Sequence, residues 1–177
     1  MDGSNNAQIS NIEKKILNEL QKNCRLNLDE IGKKCGCSRY KVGRVMKNLE
    51  KDGSIIGYSA IINPNKMNLK YYLLLIKRSS TPIDDKILNK LPVSDISDLL
   101  PEGVANIKLE DTLYLHGDFD WITTFISNDI ANAKEYANQI LKVFHKYVDH
   151  ITLLETVTPI RIKGFQISRS AQVPEIM

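Results

Sequence analysis

The sequence has no apolar run long enough to cross a bilayer. Its longest, "YYLLLI" at residues 71–76, is far short of the ~20 residues a spanning helix needs. The N-terminus is polar and shows no secretory pattern, so a cytoplasmic protein with no membrane partner is expected. Cysteine is scarce. Cys24, Cys35 and Cys37 do not suit a disulfide framework. Two thiols as close as Cys35-Gly36-Cys37 could bind metal or sense oxidation. A zinc site needs four ligands, however, and no further Cys or nearby His supplies the rest. Packing in a buried turn is the expected role. The three histidines, His116, His145 and His150, are scattered and read as surface or structural residues. The single tryptophan, Trp121, is expected in the core or an interface. Nothing here calls for a metal, a cofactor or a catalytic residue, and no internal repeat or low-complexity tract appears.

What is present is unevenly distributed charge. The net +3 of the 177 residues is too modest to say much. Up to Lys70 there are 13 Lys+Arg against 7 Asp+Glu, and from Tyr71 onward 11 against 14. A basic first half and a mildly acidic second half suggest a nucleic-acid-binding end joined to something else. The length allows one or two small domains, each with its own core.

The cations concentrate in "CSRYKVGRVMKNLEKDGSI", Cys37 to Ile55. With Ser38 as N-cap, a helix over 39–52 turns about 100° per residue. Val45, Met46 and Leu49 then lie within about 60° of Val42, an apolar stripe suited to one buried face. Tyr40, Arg44, Lys47 and Lys51 fall on the opposite side. A solvent-facing helix laced with salt bridges would mix its signs there; this outer face is cationic. Upstream, "NLDEIGKKCGC" offers Asn27 and Glu30 as a capping box, then Leu28, Ile31, Gly32 and Cys35 at helical spacing. Gly36 suits a left-handed helix end. "SNIEKKILNELQKN" puts Ile12, Ile16, Leu17 and Leu20 on a third apolar face. Three short helices, the last two joined by a tight Gly-containing turn, describe a helix-turn-helix whose third helix enters the major groove of double-stranded DNA. "GSIIGYSAIINP" reads as a wing strand or hairpin.

The second half suggests strand "KYYLLLIKR", short helix "DDKILNKL", and strands "TLYLHG" and "WITTFIS" flanking "GDFD". A long amphipathic helix, "DIANAKEYANQILKVFHKYV", follows, with Ala133, Ala137, Ile140, Leu141, Phe144 and Val148 on its core face. "HITLLETVTPIRIKG" closes as an extended segment. The order β-α-β-β-α-β is the split βαβ, ferredoxin-like arrangement. Residues 92–111 fit it least well and are expected to lengthen the first helix and lead into the second strand. The expected division is a winged helix-turn-helix domain at 9–64, a linker at 65–70, a ferredoxin-like domain at 71–166 and a tail at 167–177. The fold class is α+β. The ends read as frayed or loosely docked tails.

The first half, from "ILNELQKNCRLNLDEIG" through "LEKDGSIIGYSAIINP", resembles the leucine-responsive regulatory protein/asparagine synthase regulator (Lrp/AsnC) family. The carrying features are "IL..LQ.N.R", the Ser38 cap, "V..V...LE..G.I.GYSA" and the following "NP". "GDFDW" matches that family's Gly-x-x-Asp hairpin. The likeness covers roughly residues 10–165. Its departures are segment 92–111, the tails, and Gly43 beside Arg44 where two arginines are common. It implies a transcription regulator that dimerises or assembles further through its C-terminal sheets, binds imperfectly palindromic operators and responds to an amino acid or related metabolite.

Within that frame, Lys47, Lys51 and Lys41 are placed to neutralise phosphates. Arg44 and Tyr40 are better placed for base edges, because an arginine fork fits guanine O6 and N7. Ser38 and Arg39, in the first turn, reach backbone or bases. For an amino-acid effector, Gly117 would allow close backbone approach, and Asp118 or Asp120 could pair with the ammonium group. The same residues are ordinary in a β-turn. Two other classes stay open. One is an effector-independent architectural DNA-binding protein. The other is a decarboxylase of sirohaem-type tetrapyrroles, which some relatives with this layout are; those use His and Arg after the wing, and "IIGYSAIINPNKMNLKYYLLLIKR" has no His.

Overall fold

A computed structural model describes residues 9–84 and 107–167. Contacts divide the chain between Ala60 and Ile61 into two compact units.

The first unit is three helices: α1 (Asn11–Lys22), α2 (Leu28–Cys35) and α3 (Arg39–Lys51). Each begins at a side-chain cap. The Asn27/Glu30 box forms as expected: the Glu30 N–H donates to Asn27 Oδ1 at 2.9 Å and the Asn27 N–H to Glu30 Oε2 at 2.8 Å. A second box, Ser10 with Glu13, was equally legible in "SNIE". Ser38 caps α3, accepting the Lys41 N–H at 3.3 Å. Gly36 ends α2 with φ 70°, where a side chain would be strained. Ile16, Leu20, Ile31, Cys35, Val42, Val45 and Leu49 form the core, with Ile12, Leu17, Leu28, Cys37 and Met46 packed against it. Each buried Val or Leu contributes about 1.5–3 kcal/mol. Cys35 and Cys37 thus pack at the turn.

The turn itself depends on Gly32. A Cβ there would lie 2.5 Å from the Cys37 carbonyl oxygen, closer than any real contact, and the Cys37 N–H donates to the Gly32 carbonyl at 2.9 Å. Beyond α3 the expected wing strand or hairpin does not form: among the described residues 56–62 are in no strand and no ladder bond joins them to one. The run has the residue types of a strand but no partner to pair with, and Ile56 is 98% exposed.

In the second unit a 3₁₀ turn (Pro64–Met67) leads into β1 (Lys70–Arg78). β2 (Ile107–Tyr114), β3 (Trp121–Ser127), α4 (Ile130–Phe144) and β4 (Val148–Glu155) follow. All neighbouring strands are antiparallel, in the order β2-β3-β1-β4, which is the ferredoxin-like order. β2 starts five residues before "TLYLHG", at Ile107, so the end of segment 92–111 is strand, with a register shift between Leu109 and Asp111. The short helix expected in "DDKILNKL" and residues 92–106 lie outside the described residues, apart from Asp84, as do the tails, apart from Ile167. The closing segment is extended only to Glu155; β5 (Arg161–Ile162) and β6 (Phe165–Gln166) then form a small hairpin.

Alternation along β1 turns Tyr72, Leu74 and Ile76 into the core under α4. Tyr72 stacks on Phe125 at 5.5 Å, and Phe125 meets Tyr136 edge-on at 4.9 Å. Two expectations for the long helix fail. Leu141 is 38% exposed, Tyr136 takes a core place instead, and α4 stops at Phe144, leaving Val148 to cover the core from β4. On the helix wheel Leu141 falls at the edge of its stripe, about 80° from Ala133. Trp121 is in the core.

Gly32 and Gly43, the glycines inside α2 and α3, should respond oppositely to alanine. At Gly43 a Cβ meets only Leu28 Cδ1, at an ordinary 3.5 Å, so Gly43→Ala should stabilise by about 0.5–1 kcal/mol. Gly32→Ala should destabilise by about 1–3 kcal/mol through overpacking. Urea unfolding of both variants is the measurement, and equal effects would contradict the packing described.

Candidate nucleic-acid interface

α3 presents two opposed faces. Val42, Val45 and Leu49 are buried, while Ser38, Arg39, Tyr40, Lys41, Arg44, Lys47 and Lys51 are all exposed, Tyr40 to 83%. All seven residues singled out from the sequence are therefore accessible on one short segment. Among the described residues Lys41, Arg44, Lys47 and Lys51 make no ion pair. The acids nearby are engaged elsewhere. Glu50 accepts the Tyr58 hydroxyl at 2.9 Å, and Asp52 accepts the Ser54 N–H at 2.9 Å. Their carboxylates thus hold the turn after α3 instead of neutralising its outer face.

Arg39 differs from the other cations. Its Nη1 lies 3.5 Å from Asp29 Oδ2 on α2, and its guanidinium sits 5.9 Å from the Tyr40 ring centre. Both charged groups are more than half exposed, so this pair is weak and Arg39 is held loosely. No spacing rule links α2 to α3, which is why the Asp29 contact was not legible beforehand.

A face of this kind, on the helix after a tight turn, has the form that reads a major groove. The winged helix-turn-helix DNA-binding family matches residues 9–56. A leucine-responsive regulatory protein from Haemophilus influenzae is 31% identical over 140 residues, which are 77% of this chain and 75% of that one. The chain belongs to the Lrp/AsnC family. Like its relatives, this Lrp/AsnC protein is a DNA-binding transcription regulator. Solved structures of the family share its fold. An AsnC family regulator from Agrobacterium tumefaciens superposes with TM-score 0.63 at 21% identity, covering 86% of this chain and 93% of that one. A Neisseria meningitidis transcriptional regulator in complex with L-Met gives TM-score 0.64 at 19% identity, covering 90% and 96%.

The hairpin singled out for an effector, Gly117, Asp118 and Asp120, lies in the β2–β3 turn. Gly117 has φ 149°, a conformation that excludes side chains, with open space around it. Asp118 is exposed and has no partner among the described residues. Asp120 is committed. Its carboxylate accepts the Arg78 N–H at 2.9 Å and lies 3.5 Å from Lys77 Nζ, and its own N–H donates to the Ile76 carbonyl at 3.0 Å. These contacts tie the turn to the end of β1. The Arg78 N–H, and after it Lys77, hold the Asp120 carboxyl below the usual carboxylate range. His145 bonds the Lys142 carbonyl and His150 bonds Thr152, so both are local structure. Among the described residues no helix is long and apolar enough to cross a membrane.

Two outcomes follow from this geometry. Arg44→Ala should cost operator binding about 1–3 kcal/mol, the scale of one bidentate base contact. Lys51→Ala should weaken operator and random DNA alike and reduce the salt slope by roughly one. Neither residue touches the core, so both variants should unfold within about 0.5 kcal/mol of wild type. Affinity for the two DNAs at two salt concentrations separates the roles, and unchanged operator binding by the double variant would leave α3 a merely solvated face. The second outcome concerns Asp120. Its folded pKa is depressed, so the stability it adds is present above the unfolded carboxylate value and lost as pH falls through the folded one. Asp120→Ala should melt lower at neutral pH, with the gap closing in acid; a gap constant with pH would mean that the carboxylate's charge is not what ties the turn.

Proposed function

We propose that this chain is a sequence-specific regulator that binds DNA as a homodimer or larger homo-oligomer through the outer face of α3, with operator binding modulated by an amino acid or related metabolite. The observation that carries the DNA reading is the set Lys41, Arg44, Lys47 and Lys51, exposed and without counter-ions among the described residues. Lys41, Lys47 and Lys51 hold phosphates, Arg44 and Tyr40 face base edges, and Ser38 and Arg39 border the groove. Such a face pays its electrostatic cost in the free protein and recovers it when counter-ions leave DNA.

Assembly is supported by two apolar surfaces that the monomer leaves uncovered. One is the unpaired run containing Ile56, Tyr58, Ile61 and Ile62, each 38% exposed or more. The other is the sheet face away from α4, with Leu113 and Leu154 exposed. The effector reading rests on the family and on the L-Met complex of a structural relative. A catalytic role is not proposed: residues 55–78, which follow α3, contain no histidine, and an enzyme would not need the cationic face.

Selection of bound genomic fragments followed by footprinting tests this. The protein should protect two half-sites on one face of the duplex, separated by a multiple of about one helical turn. A single asymmetric protected stretch would count against the dimer. Addition of the matching amino acid should change the occupancy; indifference to all twenty would favour the effector-independent architectural reading.

A further inference from the structure

The first turn of α2 carries two acids, Asp29 and Glu30. Glu30 is closed on the Asn27 N–H of its own cap. Asp29 reaches another element instead: its Oδ2 lies 3.5 Å from Nη1 of Arg39, the first residue of α3. The Arg39 guanidinium also sits 5.9 Å from the centre of the Tyr40 ring, within cation–π range. Arg39 is therefore touched from two sides while its side chain stays 57% exposed. The two backbones are placed by the Gly32–Cys37 contact, which falls between Asp29 and Arg39 in the chain. Among the described residues no other cation of α3 has an acid on it. For a surface that meets DNA, that acid is unfavourable on its own, because it repels the phosphates that the lysines attract.

We propose that Asp29 is a positioning residue that sets operator specificity: it holds Arg39 so that the free part of the guanidinium fork reads a guanine in the major groove. The inference rests on the DNA face proposed above and extends its base readers from Arg44 and Tyr40 to Arg39. The N-terminal residues of a recognition helix are those that reach base edges. A guanidinium has five N–H donors in a fixed fork, so one can stay on Asp29 while others meet guanine O6 and N7. Restricting the side chain beforehand removes part of the ordering entropy from the binding step. In the free protein the pair is weak. Once a base pair displaces the water around it, the same contact strengthens. On random DNA Arg39 meets no matching guanine, and Asp29 contributes only its repulsion of phosphates. The acid thus widens the gap between operator and random DNA from both sides. Arg39 and Arg44 start about 7.5 Å apart along α3, the span of about two base-pair steps, so they read different guanines of one half-site.

The test uses the full-length protein and the duplex it selects from a random pool, compared with random DNA at fixed salt. Asp29→Ala should lower operator affinity about three- to tenfold and raise affinity for random DNA about twofold. In an Arg39→Ala background the same change should no longer lower operator affinity. Should Asp29→Ala fold poorly, Asp29→Asn, which keeps the shape without the charge, should show the same opposite signs. Arg39→Lys keeps the charge and loses the fork. It should weaken operator binding about tenfold and leave random DNA within about twofold. Operator guanines are then replaced one at a time by 7-deazaguanine, which lacks the N7 acceptor. One position per half-site should cost wild type about tenfold and Arg39→Ala nothing further. A rise in both affinities on Asp29→Ala, or an operator loss that persists once Arg39 is alanine, overturns the positioning role. Absence of any guanine that distinguishes wild type from Arg39→Ala overturns the guanine reading. Each of these leaves the DNA face intact, whereas a wild-type protein that selects no sequence over random DNA overturns both.

Discussion

The N-terminal unit depends on one close approach of backbone to backbone, Gly32 against the Cys37 carbonyl. With the Cys37 N–H bonded to the Gly32 carbonyl and Gly36 in the left-handed conformation, the chain reverses within two residues and Ser38 can open α3 at once. The angle between α2 and α3 is then fixed by main-chain contact, before any side chain contributes. Only after that can Val42, Val45 and Leu49 reach Ile16, Leu20 and Ile31, and only because that face is buried does the cationic face point outward. The apolar stripe and the DNA face are one decision read from opposite sides of a helix. A residue that disturbed the turn would rotate both.

The second unit is organised differently. Its rigidity comes from β1, paired on both sides and sealed under α4 by the aromatic sequence Tyr72, Phe125 and Tyr136. Both ends of this strand carry polar fastenings. Asp120 ties the β2–β3 turn to Arg78 at one end, and Lys70 meets Glu155 at the other. The two fastenings differ in kind. Asp120 accepts a backbone N–H that would otherwise lack a partner at the strand end, so it is part of the fold. The Lys70–Glu155 pair joins two partly exposed side chains and holds no backbone group, so it adds little to the sheet.

Much of this was legible because it follows local rules. Caps at Asn27 and Ser38, the left-handed Gly36, the stripe on α3 and the strand at "KYYLLLIKR" depend on neighbours within a turn or a few residues, and they appear where expected. What was not legible depends on partners distant in sequence. Whether Leu141 or Tyr136 faces the core depends on partners such as Phe125, which meets Tyr136 from another element. The start of β2 at Ile107 depends on β3, since "IKLED" is charged enough to read as a loop until Leu109 is set opposite Phe125. The unpaired state of residues 56–62 is of the same kind, because a strand's pattern says nothing about whether a partner is at hand. The candidate sites divide likewise. The proposed DNA face is one helix and could be counted off a wheel, whereas the tie that commits Asp120 to the Arg78 N–H joins residues 42 positions apart.

The distribution of ion pairs completes the electrostatic logic. In the second unit Lys70, Lys77, Lys108 and Lys163 are all matched to Glu155, Asp120 or Glu110. Glu110, with only 10% of its side chain exposed, has two lysines on it; burial pushes its carboxyl up, and these lysines outweigh that and hold it below the usual range. In the first unit Lys22 and Lys34 share Glu19, Asp29 meets Arg39, and Glu13, Glu30, Glu50 and Asp52 serve caps and the turn after α3. Among the described residues the unpaired cations of α3 are not alone, since Lys14, Lys15, Arg25 and Lys33 of the first unit are in no ion pair either, but these are spread over α1, the turn after it and α2. Beyond a Debye length of about 8–10 Å the paired lysines present almost no net field. Of the unpaired cations, those of α3 are gathered on one helix face, so the residues proposed to hold a duplex also favour the orientation in which polyanionic DNA is met.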